Sequence, residues 1–136
     1  MYRIAVVVGA VAILVLVGCS GGRLKLYEVT GTVKFQDGTV PSGDMSSITF
    51  VPAVVMEGKA VFSNIEPDGS FELWTVTQGD GGALAGDYQV TLNVIKGYPR
   101  GRSMVAKKYT DLEDTPLKAT VKAGEKNHFD FEVEKP

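Results

Sequence analysis

Tyr88, Val90, Leu92 and Val94 set an apolar residue at every second position, with Gln89, Thr91 and Asn93 between them. Successive side chains of an extended chain point to opposite faces, so this alternation gives a β-strand one dry face and one wet face. The same period recurs along the chain. Tyr27, Val29, Val33 and Phe35, with Gly31 among them, alternate with Glu28, Thr30, Thr32 and Lys34. Leu117, Ala119 and Val121 alternate with Lys118, Thr120 and Lys122, and Phe129, Phe131 and Val133 with Asp130, Glu132 and Glu134. Ile48 and Phe50, set against Thr49 and Val51, make a shorter strand that Pro52 ends. Outside the N-terminal run, no segment carries a helical period.

The segments between these strands carry turn chemistry. Asp37-Gly38 and Pro67-Asp68-Gly69 combine residues that preset a bend with a glycine that accepts positive φ. The second turn predicts a hairpin, with Val61 to Ile65 entering and Phe71 to Val76 leaving. About seven strands result, each with one solvated face, which implies antiparallel sheets packed face to face. With 136 residues, 44% hydrophobic and 22% charged, the chain has one domain's worth of core. The expected fold is a single antiparallel β-sandwich, Ig-like or transthyretin-like.

The N-terminus departs from this pattern. After Arg3, the fourteen residues Ile4 to Val17 contain no polar side chain. A spanning helix needs roughly 20 apolar residues, whereas an apolar core of about 7 to 15 after a basic residue is the export-signal pattern. The run ends in Leu16-Val17-Gly18-Cys19, which resembles the lipobox of bacterial lipoproteins. That resemblance implies cleavage between Gly18 and Cys19 and a lipid on the Cys19 thiol; the alternative is a small buried thiol, the usual fate of a lone cysteine. The expected organisation is a signal peptide over 1–18, a lipidated Gly/Ser-rich tether over 19–25 and the sandwich over 26–136. The partner implied first is the membrane, reached through lipid on Cys19. The protein would sit on the cell membrane or outer membrane, facing periplasm or exterior, and Ser20 after the cysteine favours the outer membrane by the sorting rule of some lipoproteins.

Within the domain, "VTGTVKFQDGT", "ITFVPA", "PDGSFEL", "GDYQVTL" and "KKYTDLEDTPLKATVKAGEKNHFDFEV" follow in order. Together they resemble the carboxypeptidase-regulatory-like or transthyretin-like β-sandwiches of secreted bacterial lipoproteins, over roughly Tyr27 to Val133. In carboxypeptidases this module is an appended sandwich, so the resemblance implies a folding or interaction unit and transfers no catalytic residue.

The residues themselves offer little reaction chemistry. Fourteen basic and sixteen acidic residues give a formal charge of −2, with no basic stripe to track nucleic acid. His128 is the only histidine, so neither a zinc site nor a serine triad is expected, and no cofactor. His128 should stand with the polar residues at the start of the last strand. Asp111, Glu113 and Asp114 could offer oxygen to calcium or form a solvated turn, and Asp80 faces the same choice. The twenty residues from Gly97 to Pro116 make the longest connection. Tyr98, Arg100 and Arg102, with Lys107, Lys108 and Tyr109, could dock an acidic partner from this loop; alternatively Met104 to Tyr109 forms a further strand with Val105 and Tyr109 in the core. Trp74 could stack on a sugar or be covered. The expected function is a non-enzymatic, membrane-tethered structural or protein-interaction module of the cell envelope. The alternative is an accessory domain binding a glycan or other extracellular ligand through Trp74, Tyr98, Arg100 and Arg102.

Overall fold

A computed structural model describes residues 25–54, 60–73, 81–97 and 100–136. Among the described residues eight strands run in the order β1 (Val29–Phe35), β2 (Met45–Pro52), β3 (Val61–Asn64), β4 (Ser70–Glu72), β5 (Gly86–Lys96), β6 (Arg102–Ser103), β7 (Lys118–Val121) and β8 (Asn127–Val133). A 3-10 turn, Lys107–Thr110, precedes β7.

The strands divide into two sheets. One has the order β4-β1-β8; the other has the order β3-β2-β5-β6, with β7 also on β5. Each buries the face that the alternation marks as apolar. Val29 and Val33 of β1, Ile48 and Phe50 of β2, Val90, Leu92 and Val94 of β5, and Val133 of β8 are fully excluded from water. Phe50 sits at the middle of the sandwich, its ring about 6 Å from those of Phe71, Tyr88, Phe129 and Phe131. Gly31 lies in β1 beneath this cluster. A Cβ there would run into the Phe129 carbonyl and the Phe71 ring, so only glycine lets β1 and the aromatics close up.

The all-β sandwich therefore stands, with three departures in detail. First, β1 and β8 pair in parallel, in register from Val29↔Asn127 to Phe35↔Val133, whereas the remaining pairs are antiparallel. Alternation reports which face is dry and says nothing of strand direction. The intervening chain supplies the long crossover that a parallel pair needs. Second, β3 and β4 flank the Pro67-Asp68-Gly69 turn but do not pair with each other. β3 pairs with β2 and β4 with β1, so the turn carries the chain from one sheet to the other. Within it, the Gly69 N–H donates to the Glu66 carbonyl and the Glu66 N–H to the Ser70 carbonyl, with Gly69 at φ +87°. The exit strand ends at Glu72; Leu73 is buried and its N–H reaches the Val29 carbonyl, and the rest of the expected strand lies outside the described residues.

Third, the segment Met104 to Tyr109 is not a strand. Two residues, Arg102 and Ser103, pair with Lys96 and Ile95 before the 3-10 turn begins. Val105 and Tyr109 are nevertheless both in the core, as the strand reading had them. The Tyr109 hydroxyl accepts the Glu134 N–H at 3.1 Å, and the Thr115 hydroxyl donates to the Val90 carbonyl at 2.6 Å. The long connection is thus pinned to both sheets.

Candidate functional site

The outer face of the three-stranded sheet carries an ordered set of polar side chains. Threonines at 30 and 32 face solvent because Val29, Gly31 and Val33 face the core, and His128 and Asp130 do so because Phe129 and Phe131 face inward. Register then brings them together. Glu72, Thr30 and His128 lie in one row across β4, β1 and β8; Ser70, Thr32 and Asp130 lie in the next.

Along and between these rows the side chains touch. The Thr30 hydroxyl lies 3.1 Å from His128 Nδ1, His128 Nε2 lies 3.0 Å from Asp130 Oδ1, and the Thr32 hydroxyl donates to the same Oδ1 at 2.7 Å. The Thr32 hydroxyl, and after it the His128 imidazole, hold the Asp130 carboxyl below the usual carboxylate range. The side chains of His128 and Asp130 are 56% and 69% exposed. A hydroxyl, an imidazole and a carboxylate in one chain echo a nucleophile relay. With both ionisable members more than half in water, however, their electrostatic coupling is that of a surface pair. The set suits hydrogen bonding to a polar ligand.

Beside these rows a groove of about 410 Å³ crosses the sheet and turns round its β4 edge. Thr30, Thr32, His128, Ser70 and Glu72 line one part of it, and Asn64 of β3 borders the other. The groove thus draws on both sheets, which the passage of the chain through the Pro67-Asp68-Gly69 turn brings side by side.

The residues expected from sequence to matter are not gathered here. Gly18, Cys19, Trp74, Tyr98 and Asp80 lie outside the described residues. Arg100 and Arg102 are exposed, Arg102 opposite Lys96 on β6. Lys108 pairs with Glu134 at 2.9 Å, and that contact raises its pKa. In the acidic loop, Asp111 Oδ1 accepts the Glu113 N–H and the Asp111 carbonyl accepts the Thr115 and Asp114 N–H groups, which is turn bonding. Among the described residues no three His, Cys, Asp or Glu side chains converge to hold a metal ion. His128 stands exposed at the start of the last strand, as its place in the alternation implies. Sequence reasoning had not joined it to Thr30, Thr32 and Glu72. The polar halves of both strands were visible, but the register of the first strand against the last was not.

No family model matches the chain, and no curated protein matches it. Among solved structures, it is similar to the major pilin subunit of Bacillus cereus, with 14% identity, a TM-score of 0.45, and cover of 81% of this chain and 30% of that one. The chain thus spans under a third of the pilin, and at that level of superposition no property of the pilin carries over.

Proposed function

We propose that this protein is a lipid-anchored β-sandwich of the bacterial cell envelope, acting as a non-enzymatic structural or protein-interaction module. The observation that carries the reading is the apolar run closed by Leu16-Val17-Gly18-Cys19, ahead of a domain that begins within a few residues. One acyl chain holds a protein only marginally, and the several chains of a processed lipoprotein hold it stably. A module so placed works by what its exposed faces bind, and the rows of Thr30, Thr32, His128 and Asp130 offer such a face.

The direct test is Cys19→Ser. The variant should lose lipid labelling, keep its signal peptide and leave the lipoprotein fraction; if it is still cut before residue 19 and labelled, the anchor reading fails. Crosslinking in cells followed by capture of the chain should then recover a discrete envelope protein.

A second reading, an accessory domain for a glycan or other extracellular ligand, is favoured by Phe62. Phe62 is 52% exposed and lies two residues along β3 from Asn64, which borders the groove. Flat aromatic surface beside amide and hydroxyl groups suits the apolar and polar faces of a sugar ring. Phe62→Ala should abolish retention on an immobilised neutral polysaccharide if this reading holds. Trp74 and Tyr98 bear on it through quenching: iodide reaches an exposed Trp74, and ligand should then protect it.

A further inference from the structure

Strand β8 is the last strand of its sheet, bonded to β1 on one side only. The parallel ladder determines which of its backbone groups are used. The Asn127 N–H donates to the Glu28 carbonyl at 3.0 Å, so residues 127, 129, 131 and 133 turn their N–H and C=O toward β1. The N–H and C=O of His128, Asp130, Glu132 and Glu134 therefore point away from the sheet. At Glu134 they are taken: its carbonyl accepts the Ala106 N–H at 3.1 Å, and its N–H donates to the Tyr109 hydroxyl. From His128 to Glu132 the edge bears neither proline nor a bulge in its register, and no described element covers it. Such a row of donors and acceptors is a template for another strand.

We propose that the occupant is a second copy of this chain, its β8 antiparallel to the first across a two-fold axis. An isologous contact requires the strand to be complementary to itself. Three registers pair two or more of the outward-pointing residues His128, Asp130 and Glu132, and centring on Phe131 sets Asp130 against Glu132 of the partner subunit, a like-charge pair. Centring on Asp130 sets His128 against Glu132 of the partner subunit but also Asp130 against Asp130 of the partner subunit at the axis, a like-charge pair that costs stability. Centring on Phe129 sets His128 against Asp130 of the partner subunit and Lys126 against Glu132 of the partner subunit, each opposite in charge once His128 is protonated and attractive at Lys126 throughout. It also sets Phe129 against Phe129 of the partner subunit. Phe129 is the half-buried member of the aromatic cluster, the one with surface left to cover. The structure thus assigns the Phe129-centred register, which joins two three-stranded sheets into one of six. In this register Asn127 of the partner subunit lies opposite Phe131, so the paired span ends short of Glu134, whose outward groups Ala106 and Tyr109 already hold.

The test is run on the full-length Cys19→Ser chain in density-matched detergent, which removes the only native thiol. Phe129→Cys in that background should form a disulfide-linked dimer on mild oxidation, because a non-hydrogen-bonded antiparallel pair brings Cα atoms within about 4.5 Å, inside disulfide range. Asp130→Cys should crosslink poorly; if it crosslinks instead of Phe129→Cys, the assigned register is wrong. Sedimentation equilibrium keeps the proposal exposed should Phe129→Cys fail to fold. The parent chain should weigh two protomers, Asp130→Lys one, and Asp130→Lys with His128→Glu two again. A parent that stays monomeric at the highest soluble concentration, or a charge-reversed single variant that still dimerises, overturns it.

Discussion

Asn127 shows how much of this fold rests on single polar residues. It is buried at the first position of β8, where its Oδ1 accepts the Lys122 N–H at 2.8 Å and its Nδ2 donates to the carbonyls of Lys122 and Glu125. It thereby closes the β7–β8 turn from within. Asn127→Ala should lower stability by about 2 kcal/mol, since it leaves partly buried backbone groups without partners. The change should appear as a lower urea midpoint at unchanged slope. Asp37 and Asp68 act at the two outer turns in a common way. Each takes the backbone N–H and the hydroxyl of the residue two positions on, Thr39 and Ser70. Those hydroxyl bonds hold both carboxyls below the usual range, with Lys135 adding to the effect at Asp37. A carboxyl depressed on folding adds stability that is complete above its unfolded value of about 3.8 and is lost as pH falls below it. Stability should therefore fall below pH ~4. Thr39→Val should move the Asp37 titration, followed by carboxyl-carbon NMR, upward toward the ordinary value.

Among the elements, the crossing turn at Pro67-Asp68-Gly69 has the largest architectural effect. Gly69 sits at φ +87°, and a Cβ would lie 2.7 Å from the Val33 carbonyl oxygen, to which neighbouring β1 cannot yield without losing its pairing with β4. Gly69→Ala should cost well over 1 kcal/mol, because a side chain meets both strain and crowding there. Thermal melts followed by near-ultraviolet circular dichroism would show it. Sequence reading identified this turn and its glycine, with Val61 to Ile65 entering and Phe71 to Val76 leaving; in the fold Val61, Ile65, Phe71 and Leu73 are all buried. It did not show that β3 and β4 belong to different sheets, because turn chemistry fixes a local reversal and says nothing of what each arm pairs with. The same reason hid the candidate site. Thr30 and Thr32 alternate with valines and glycine, and His128 and Asp130 with phenylalanines, so both polar faces were legible. Bringing the two faces side by side required a register between residues 98 apart in sequence. Val105 and Tyr109 were recognisable as core from their apolar bulk, while the 3-10 turn that carries them is too short to display a period.

At the scale of the molecule, the sandwich is one core closed by its first and last strands. The parallel pairing of β1 with β8 has a mechanical consequence. Because the two strands run the same way, the chain enters β1 at one end of the ladder and leaves β8 at the other. Tension applied between Lys25 and Pro136 pulls the strands past each other, loading all the rungs from Val29↔Asn127 to Phe35↔Val133 together in shear. Handles at Gln36 and Pro136 would instead peel the same ladder from one end, a rung at a time. In single-molecule pulling, the first geometry should unfold at a distinctly higher force than the second. A sandwich fixed to a membrane at one terminus and tugged at the other would carry that load along its strongest direction.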